Sequence, residues 1–412
     1  MKKTSFEDDF TNTEVPREQR TSGVDILFVW MGFILVVASM SFGGGLASQM
    51  SLDDFVKAVL IGNAILATLA FASGYIGSRS GLSFGSLAAR VFPADTWRIA
   101  ILYIPLSLIG WYAIEAAIFG NLIADTFDLN ETARRLIMAG AALFFSVSAY
   151  FGMRFMGKVS YALVPIILVI SLAAIFNIDS ETDLQFGFGN TRIDIFTGIS
   201  IVLSTWIFSV LLVVPDLTRF VKNPVVAGSV AAGGVFAANC IALGIGAFSA
   251  AYTRESDPSL ILVSLGFTPL AILLSFAGIW STNDNNMYSS ALSVARALSL
   301  PRKRVVLALA CIGAVIALFN PATIAIMFQF LIFMGASAPP LGGIVLGGYV
   351  FRAAGGNAPE AIFSPWIAWI LASAVTFQIS GVLVIPTGLA LGFIFWIAFS
   401  FIENKLLTRR AV

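Results

Sequence analysis

Histidine is absent from this chain, and cysteine occurs only twice, at Cys240 and Cys311. Without histidine there is no side chain that ordinarily titrates near neutrality and no imidazole to bind a metal. Any proton chemistry must therefore run on carboxylates. The two cysteines lie in separate apolar runs without partners at metal-ligand spacing. They read as small buried apolar residues, not as a disulfide. Charge is scarce as well: charged residues make up 11% of the chain, against about 25% in a soluble domain. A formal net charge of +1 gives no general attraction to nucleic acid. Phosphate loops, paired acids for hydrolysis and nucleophile–histidine arrangements are all missing, and no motif for a bound cofactor stands in their place. These absences exclude most enzyme classes.

What is present is apolar length. Hydrophobic residues are 58% of the 412, too many for one water-facing core, so lipid is the expected solvent. A spanning helix needs about 20 mostly apolar residues. Reading for such runs predicts twelve, at 24–48, 54–77, 97–124, 133–151, 157–177, 194–214, 224–252, 266–295, 303–319, 321–349, 364–383 and 385–403. The first twenty or so residues are polar and of mixed charge, without the apolar stretch of a signal peptide, and read as a cytoplasmic tail. With that end inside, 19 of the 24 Lys and Arg fall on inner segments, from Lys2 and Lys3 through Arg79, Arg90, Arg219 and Arg302 to Arg410. Lys57, Arg134, Arg135, Arg192 and Arg254 fall outside. The bias predicts an integral protein of the inner (plasma) membrane with both termini cytoplasmic. The outer loops carry acids instead, among them Asp125, Asp179, Glu181 and Asp183.

Four runs contain stretches expected to interrupt a helix: Ser41–Gly45 (SFGGG) in the first, Ser204–Thr205 in the sixth, Ser281–Asn286 (STNDNN) in the eighth, and Gly335–Gly343 (GASAPPLGG) in the tenth. Such stretches survive at membrane depth only where they face protein or a water-filled cavity. Interrupted segments at matching places in two halves point to a transport site. Runs one and six are five apart, as are three and eight, and five and ten. An odd unit of five inserts upside down when repeated, which is the inverted-repeat architecture with ten core helices.

The STNDNN stretch has apolar sequence before it and a helical pattern after it, which places it mid-helix. Ser281, Thr282 and Asn285 share one side of that helix, and Asn283, Asn286 and Met287 another. Ser281 and Thr282 offer hydroxyls to a small hard cation, with carbonyls of Gly278 one turn earlier and of Gly32 and Leu35 on the first helix completing an oxygen set. In the third run Trp111 and Glu115 are four apart and share a face. Trp111 presents a flat surface to a planar ligand. Glu115, a carboxylate at membrane depth, either accepts N–H groups of that ligand, carries a proton, or pairs with another buried polar group for packing. Trp206 in the sixth run either closes the other face of the ligand or simply packs. Asp216 and Arg219 read as an intrahelical pair or a gate, and Asn63 and Gln329 as buried amides bonding between helices.

The segment Gly278–Asn285 (GIWSTNDN), followed by MYSSAL, resembles the eighth-helix motif of bacterial cytosine permeases, members of the nucleobase–cation symporter family. So do Ala58–Asn63, Gly74–Gly77, Gly110–Trp111, Asp216–Phe220 and Ala338–Gly343, in order over nearly the whole chain. The resemblance implies an all-α membrane protein with a leucine-transporter-like fold: two inverted five-helix repeats plus two C-terminal helices. It implies a base stacked on Trp111 and bonded by Asn283, and a sodium site of Gly32, Leu35, Gly278, Ser281 and Thr282. Three positions depart from the pattern. Leu108 stands where cytosine permeases carry glutamine. Ile207, with Trp206 beside it, stands where they carry an aromatic. Glu115 stands where a small residue is expected.

The expected layout is a tail over 1–23, repeats over 24–177 and 178–349, helices eleven and twelve over 350–404, and a tail over 405–412. The expected activity is import of a nucleobase or related heterocycle by sodium symport through alternating access, by a monomer with lipid around it and no nucleic acid or cofactor. The competing expectation is a proton-coupled importer of an amino acid, a cationic ring compound or a vitamin precursor, working through Glu115.

Overall fold

The computed structural model describes residues 10–93, 96–176, 184–356, 362–379 and 381–410. Lys2 and Lys3, the acids Asp179, Glu181 and Asp183, and the boundary at 177–178 lie outside the described residues. Among those described, every regular element is helical apart from one parallel bridge between Thr21 and Val221. The first half holds α1 (Val24–Ile34), α2 (Val37–Gln49), α3 (Leu52–Ser80), α4 (Phe84–Ala88), α5 (Trp97–Ile101), α6 (Tyr103–Thr126), α7 (Glu131–Phe144), α8 (Val147–Phe151) and α9 (Met153–Phe176). The second holds α10 (Ile195–Leu212), α11 (Val214–Thr218), α12 (Pro224–Thr253), α13 (Pro258–Ser264), α14 (Thr268–Leu298), α15 (Arg302–Ala317), α16 (Ile324–Ala353), α17 (Ser364–Thr376) and α18 (Val384–Arg410).

Seven of the described helical segments are long and apolar enough to cross a membrane, and eight if α1 and α2 count as one bent span. The other apolar runs are helical too but fall short for visible reasons. α7, α15 and α17 have 14, 16 and 13 residues, below the ~20 a bilayer demands. α14 has the length, but STNDNN dilutes its hydropathy. Large apolar side chains on the outside, such as Leu106 (67% exposed), Val169 (66%) and Phe319 (79%), find their solvent in lipid. The chain is an integral membrane protein.

The helix breaks are not where the polar and glycine-rich stretches pointed. The first helix breaks at Leu35–Val36, with a 55° bend between α1 and α2. Val36 is extended there, at φ −131° and ψ 152°. SFGGG stays helical, and Gly43 and Gly44 serve packing. A Cβ on Gly43 would fall on the Leu243 backbone, and one on Gly246 on the Met40 carbonyl, so α2 and α12 meet backbone to backbone. The sixth run passes unbroken through Ser204 and Thr205, whose hydroxyls bond back to the Ser200 and Val202 carbonyls, and breaks at Val213 instead. STNDNN lies inside an unbroken α14. α16 runs through Pro339 and Pro340, and its neighbour helps to satisfy the backbone there: the Ala336 carbonyl, which Pro340 leaves without an N–H partner, accepts from Thr376 Oγ1 at 2.6 Å, and the Ser337 carbonyl beside it accepts from Trp369 Nε1 at 2.9 Å.

Three smaller expectations divide. Asn63 is fully buried and takes a bond from Asn239 Nδ2 at 2.8 Å across α3 and α12, an interhelical pair as read. Gln329 is exposed, because the start of α16 is only loosely covered. Both cysteines are free, but Cys311 is exposed on the lipid-facing side of α15 and Cys240 half-buried, so neither is the buried residue its apolar context suggested. The close α2–α12 contact carries a testable cost. Gly43→Ala sets a methyl against backbone atoms that cannot rotate away, a misfit of about 1–3 kcal/mol. The melting temperature of the detergent-purified protein is expected to fall by several degrees, and an unchanged melt would mean the helices separate freely.

Candidate transport site

The break in the first helix brings its backbone against the polar stretch of α14. Val36 N–H donates to Ile34 O at 2.9 Å, so the regular bond to the Gly32 carbonyl is not made. Gly32 itself faces Ser281: a Cβ there would run into Ser281 Oγ. Ser281 Oγ is buried and, among the described residues, has no hydrogen-bond partner. Gly278 faces the Leu35 carbonyl oxygen, which would stand 3.3 Å from a Cβ at that position. Thr282 Oγ1 lies 3.0 Å from Phe33 O and 3.0 Å from Gly278 O. One hydroxyl proton serves only one of those carbonyls. The cluster thus holds more lone pairs than protons, the balance that a small hard cation redresses.

All five positions expected to form an oxygen set are therefore neighbours: Gly32 against Ser281, Leu35 against Gly278, and Thr282 beside both helices. The Phe33 carbonyl, which sequence reading missed, faces Thr282 more directly than either expected carbonyl of the first helix. No side-chain pattern signals it, since any residue type has a carbonyl and only the position of the break exposes one.

Thr282 also lines a cavity of about 40 Å³, the volume open to the centre of a water-sized sphere. Its wall is built from Phe33 and Val36 at the break, Ala38, Ser39 and Phe42 on α2, Leu108, Trp111 and Glu115 on α6, Thr205, Trp206, Phe208 and Ser209 on α10, Asn286 on α14 and Met334 on α16. Trp111 stands edge-on to Phe330, with ring centroids 6.2 Å apart. Trp206 stands edge-on to Phe33 at 5.0 Å and Trp30 at 6.3 Å. Glu115 is 3% exposed, and its Oε2 has no partner among the described residues; the same holds for Trp206 Nε1. The cavity wall thus carries one unused acceptor and one unused donor between aromatic faces.

Two expected ligand residues are turned away. Asn283 is fully buried, donates to Tyr112 O at 3.2 Å and accepts from Asn286 Nδ2 at 3.2 Å. Asn286 is the amide on the cavity wall. The reason is helical phase: 282 and 286 are four apart and share a face, while 283 lies about 100° round. Counting from Thr282 would have found it. Ile207 is fully buried off the wall, and Trp206 presents the aromatic in its place. Asp216 and Arg219 are not among the residues that line the cavity. Arg219 Nε donates to the Asp216 backbone carbonyl at 3.1 Å, while the Asp216 carboxylate accepts the Phe84 N–H at 2.8 Å.

A broken helix with a bare carbonyl at its break, set against an aromatic cavity, is the arrangement found in transporters built on discontinuous helices. The chain belongs to the family of permeases for cytosine/purines, uracil, thiamine and allantoin, whose model matches residues 14–384. It is a permease-type transporter and not an enzyme. It is 28% identical to the cytosine permease of Escherichia coli (strain K12) over 354 residues, 84% of this chain and 82% of that protein. Among solved structures, its fold is similar to that of Mhp1, a nucleobase-cation-symport-1 family transporter, closed with bromovinylhydantoin bound (TM-score 0.80, 18% identity, 96% of each chain). It is also similar to that of a Na+-coupled sialic acid symporter (TM-score 0.65, 12% identity, 96% of this chain and 94% of that one).

Proposed function

We propose that this protein imports a single-ring nucleobase or a related heterocycle by sodium symport. The observation that carries the reading is the double position of Thr282: its hydroxyl belongs to the oxygen cluster at the helix break, and its side chain lines the aromatic cavity. Sodium takes hard, neutral oxygens, and Ser281 Oγ, Thr282 Oγ1 and the carbonyls of Gly32, Phe33, Leu35 and Gly278 are of that kind. Filling the cluster fixes the end of α1 against α14 and so sets the cavity wall for the ring. Cation and ring then lower the free energy of the same closed state, which is the thermodynamic content of symport. The cavity volume supports a single ring: at about 10–15 Å³ per water-sized sphere, it admits roughly three or four, the bulk of one small heterocycle. Trp111 and Trp206 supply aromatic faces, Glu115 and Asn286 polar contacts.

The wider architecture in this reading is twelve spans, with inverted repeats over 24–177 and 178–349, two further helices over 350–404, and tails over 1–23 and 405–412. The positive charge puts both tails in the cytoplasm and the protein in the plasma membrane, working as a monomer. Alternating access then follows from one group of helices rocking against the other around α1 and α14.

Glu115 favours a second reading, in which the coupling ion is a proton. A buried carboxylate with an oxygen unpartnered among the described residues can carry one. A thermal-shift screen of the purified protein decides between them. Pyrimidines are expected to raise the melting temperature by several degrees in sodium and by much less in choline; saturation at 100 times Kd adds about 2.7 kcal/mol. Shifts that ignore sodium and follow pH would favour the proton. No shift with any such ring, in either salt, would remove the nucleobase reading.

A further inference from the structure

We infer that the cargo is a cation: an aminoheterocycle with a positive charge on its ring, bound with its amino N–H groups against Glu115 and its charged ring among aromatic side chains. The inference rests on the reading above in placing one small ring in the cavity. Its starting point is the isolation of Glu115. The side chain is 3% exposed, and its Oε2 has no partner among the described residues. No lysine or arginine is among the described residues that line the cavity. The two other acids buried as deeply are each given a donor. Asp216 accepts the Phe84 N–H at 2.8 Å, and Asp284 accepts the Ser148 hydroxyl. A donor of that kind steadies a carboxylate in place. At Glu115 the matching group has to come from outside the chain.

That group is either a proton or a charge that the cargo brings, and the rest of the wall favours the second. Phe33, Phe42, Trp111, Trp206 and Phe208 all line the cavity. Aromatic faces carry partial negative charge. They attract an organic cation, and more strongly where water is excluded. A proton on Glu115 leaves those faces unused. A cationic ring meets both the faces and the carboxylate, so the two features act on one charge. A neutral ring leaves the acid buried and unpaired, which is costly. An anionic ring is repelled by acid and faces alike. Trp206 Nε1, also without a partner among the described residues, asks for an acceptor on another edge of the cargo. Asn286 serves either kind of edge. Charge is thus selected first, and the pattern of the edges second.

The test compares two rings of one shape. 4-Aminopyridine is protonated on its ring nitrogen at pH 7. Aniline has the same outline and the same amino group and is neutral. Neither offers a carbonyl to Trp206, so that contact cancels. Dissociation constants are measured by isothermal titration calorimetry on the full-length, detergent-purified protein in sodium at pH 7, with cytosine alongside. In the parent, 4-aminopyridine is expected to bind at least about tenfold more tightly than aniline. Glu115→Gln, folded by size-exclusion elution, is expected to lose most of that preference. Phe208→Leu removes one aromatic face and is expected to reduce the preference by about two- to fivefold. Equal affinities of the two rings in the parent would overturn the inference. So would a preference that survives Glu115→Gln, whatever happens to sodium affinity. Cytosine binding without any preference for 4-aminopyridine would remove the charge and leave the nucleobase reading standing. A preference for 4-aminopyridine in a protein that binds no pyrimidine would support the charge and remove the nucleobase reading. Binding of none of the three rings would remove both.

Discussion

Replacing Thr282 by alanine is expected to abolish sodium-dependent uptake while leaving a folded protein. The hydroxyl at 3.0 Å from Phe33 O and Gly278 O is the group that faces both helices. Its loss removes one hard oxygen and leaves two buried carbonyls to repel each other. A hydrogen bond or ligand contact to a charged group is worth about 1.5–3 kcal/mol, and 2–3 kcal/mol corresponds to about 30- to 150-fold in sodium affinity. Thr282→Ser keeps the oxygen and is expected to retain most of the dependence. The measurement is initial uptake of a transported base against sodium concentration in proteoliposomes. A sodium curve of the alanine variant that overlays the parent's would rule out coupling through this cluster.

Glu115→Gln is expected to act in opposite directions on stability and on binding. The side chain is 3% exposed, and one of its oxygens has no partner among the described residues. Burying an unpaired charge is costly, and a neutral amide of the same shape relieves that cost. The ligand-free melting temperature should therefore rise. A ring whose N–H groups face the carboxylate loses a charge-assisted contact, worth about 2–5 kcal/mol when its partner is buried with it, which is about 30-fold or more in Kd. The variant should be harder to melt and bind a donor-rich ring more weakly, with sodium coupling intact. If Glu115 carries the coupling proton instead, the variant loses pH-driven accumulation. A lower melting temperature with unchanged affinity would show that Glu115 serves packing alone.

Membrane class was legible because composition alone dictates the solvent: a chain with so little charge cannot face water. The oxygen cluster at the helix break was legible in part, because Ser281, Thr282 and Gly278 are short, polar or small residues in an apolar run, where such residues are conspicuous. Other features misled for identifiable reasons. SFGGG looks like a break, since glycine weakens helices, but at Gly43 the same lack of a side chain admits the α12 backbone instead. The paired prolines of α16 look like a break too, until Thr376 from another helix takes up the Ala336 carbonyl that Pro340 leaves bare. Asn283 looked equivalent to Asn286 because a row of amides carries no mark of which one faces inward.

From its residues alone, then, this protein was bound to be an all-helical membrane protein with its polar groups gathered on a few spans, because the cost of charge and bare backbone in lipid is set by local chemistry. Where α1 breaks, which carbonyl faces Thr282 and which amide reaches the cavity were decided only by the tertiary structure. Those depend on the phase and separation of helices hundreds of residues apart, and packing between them fixes both.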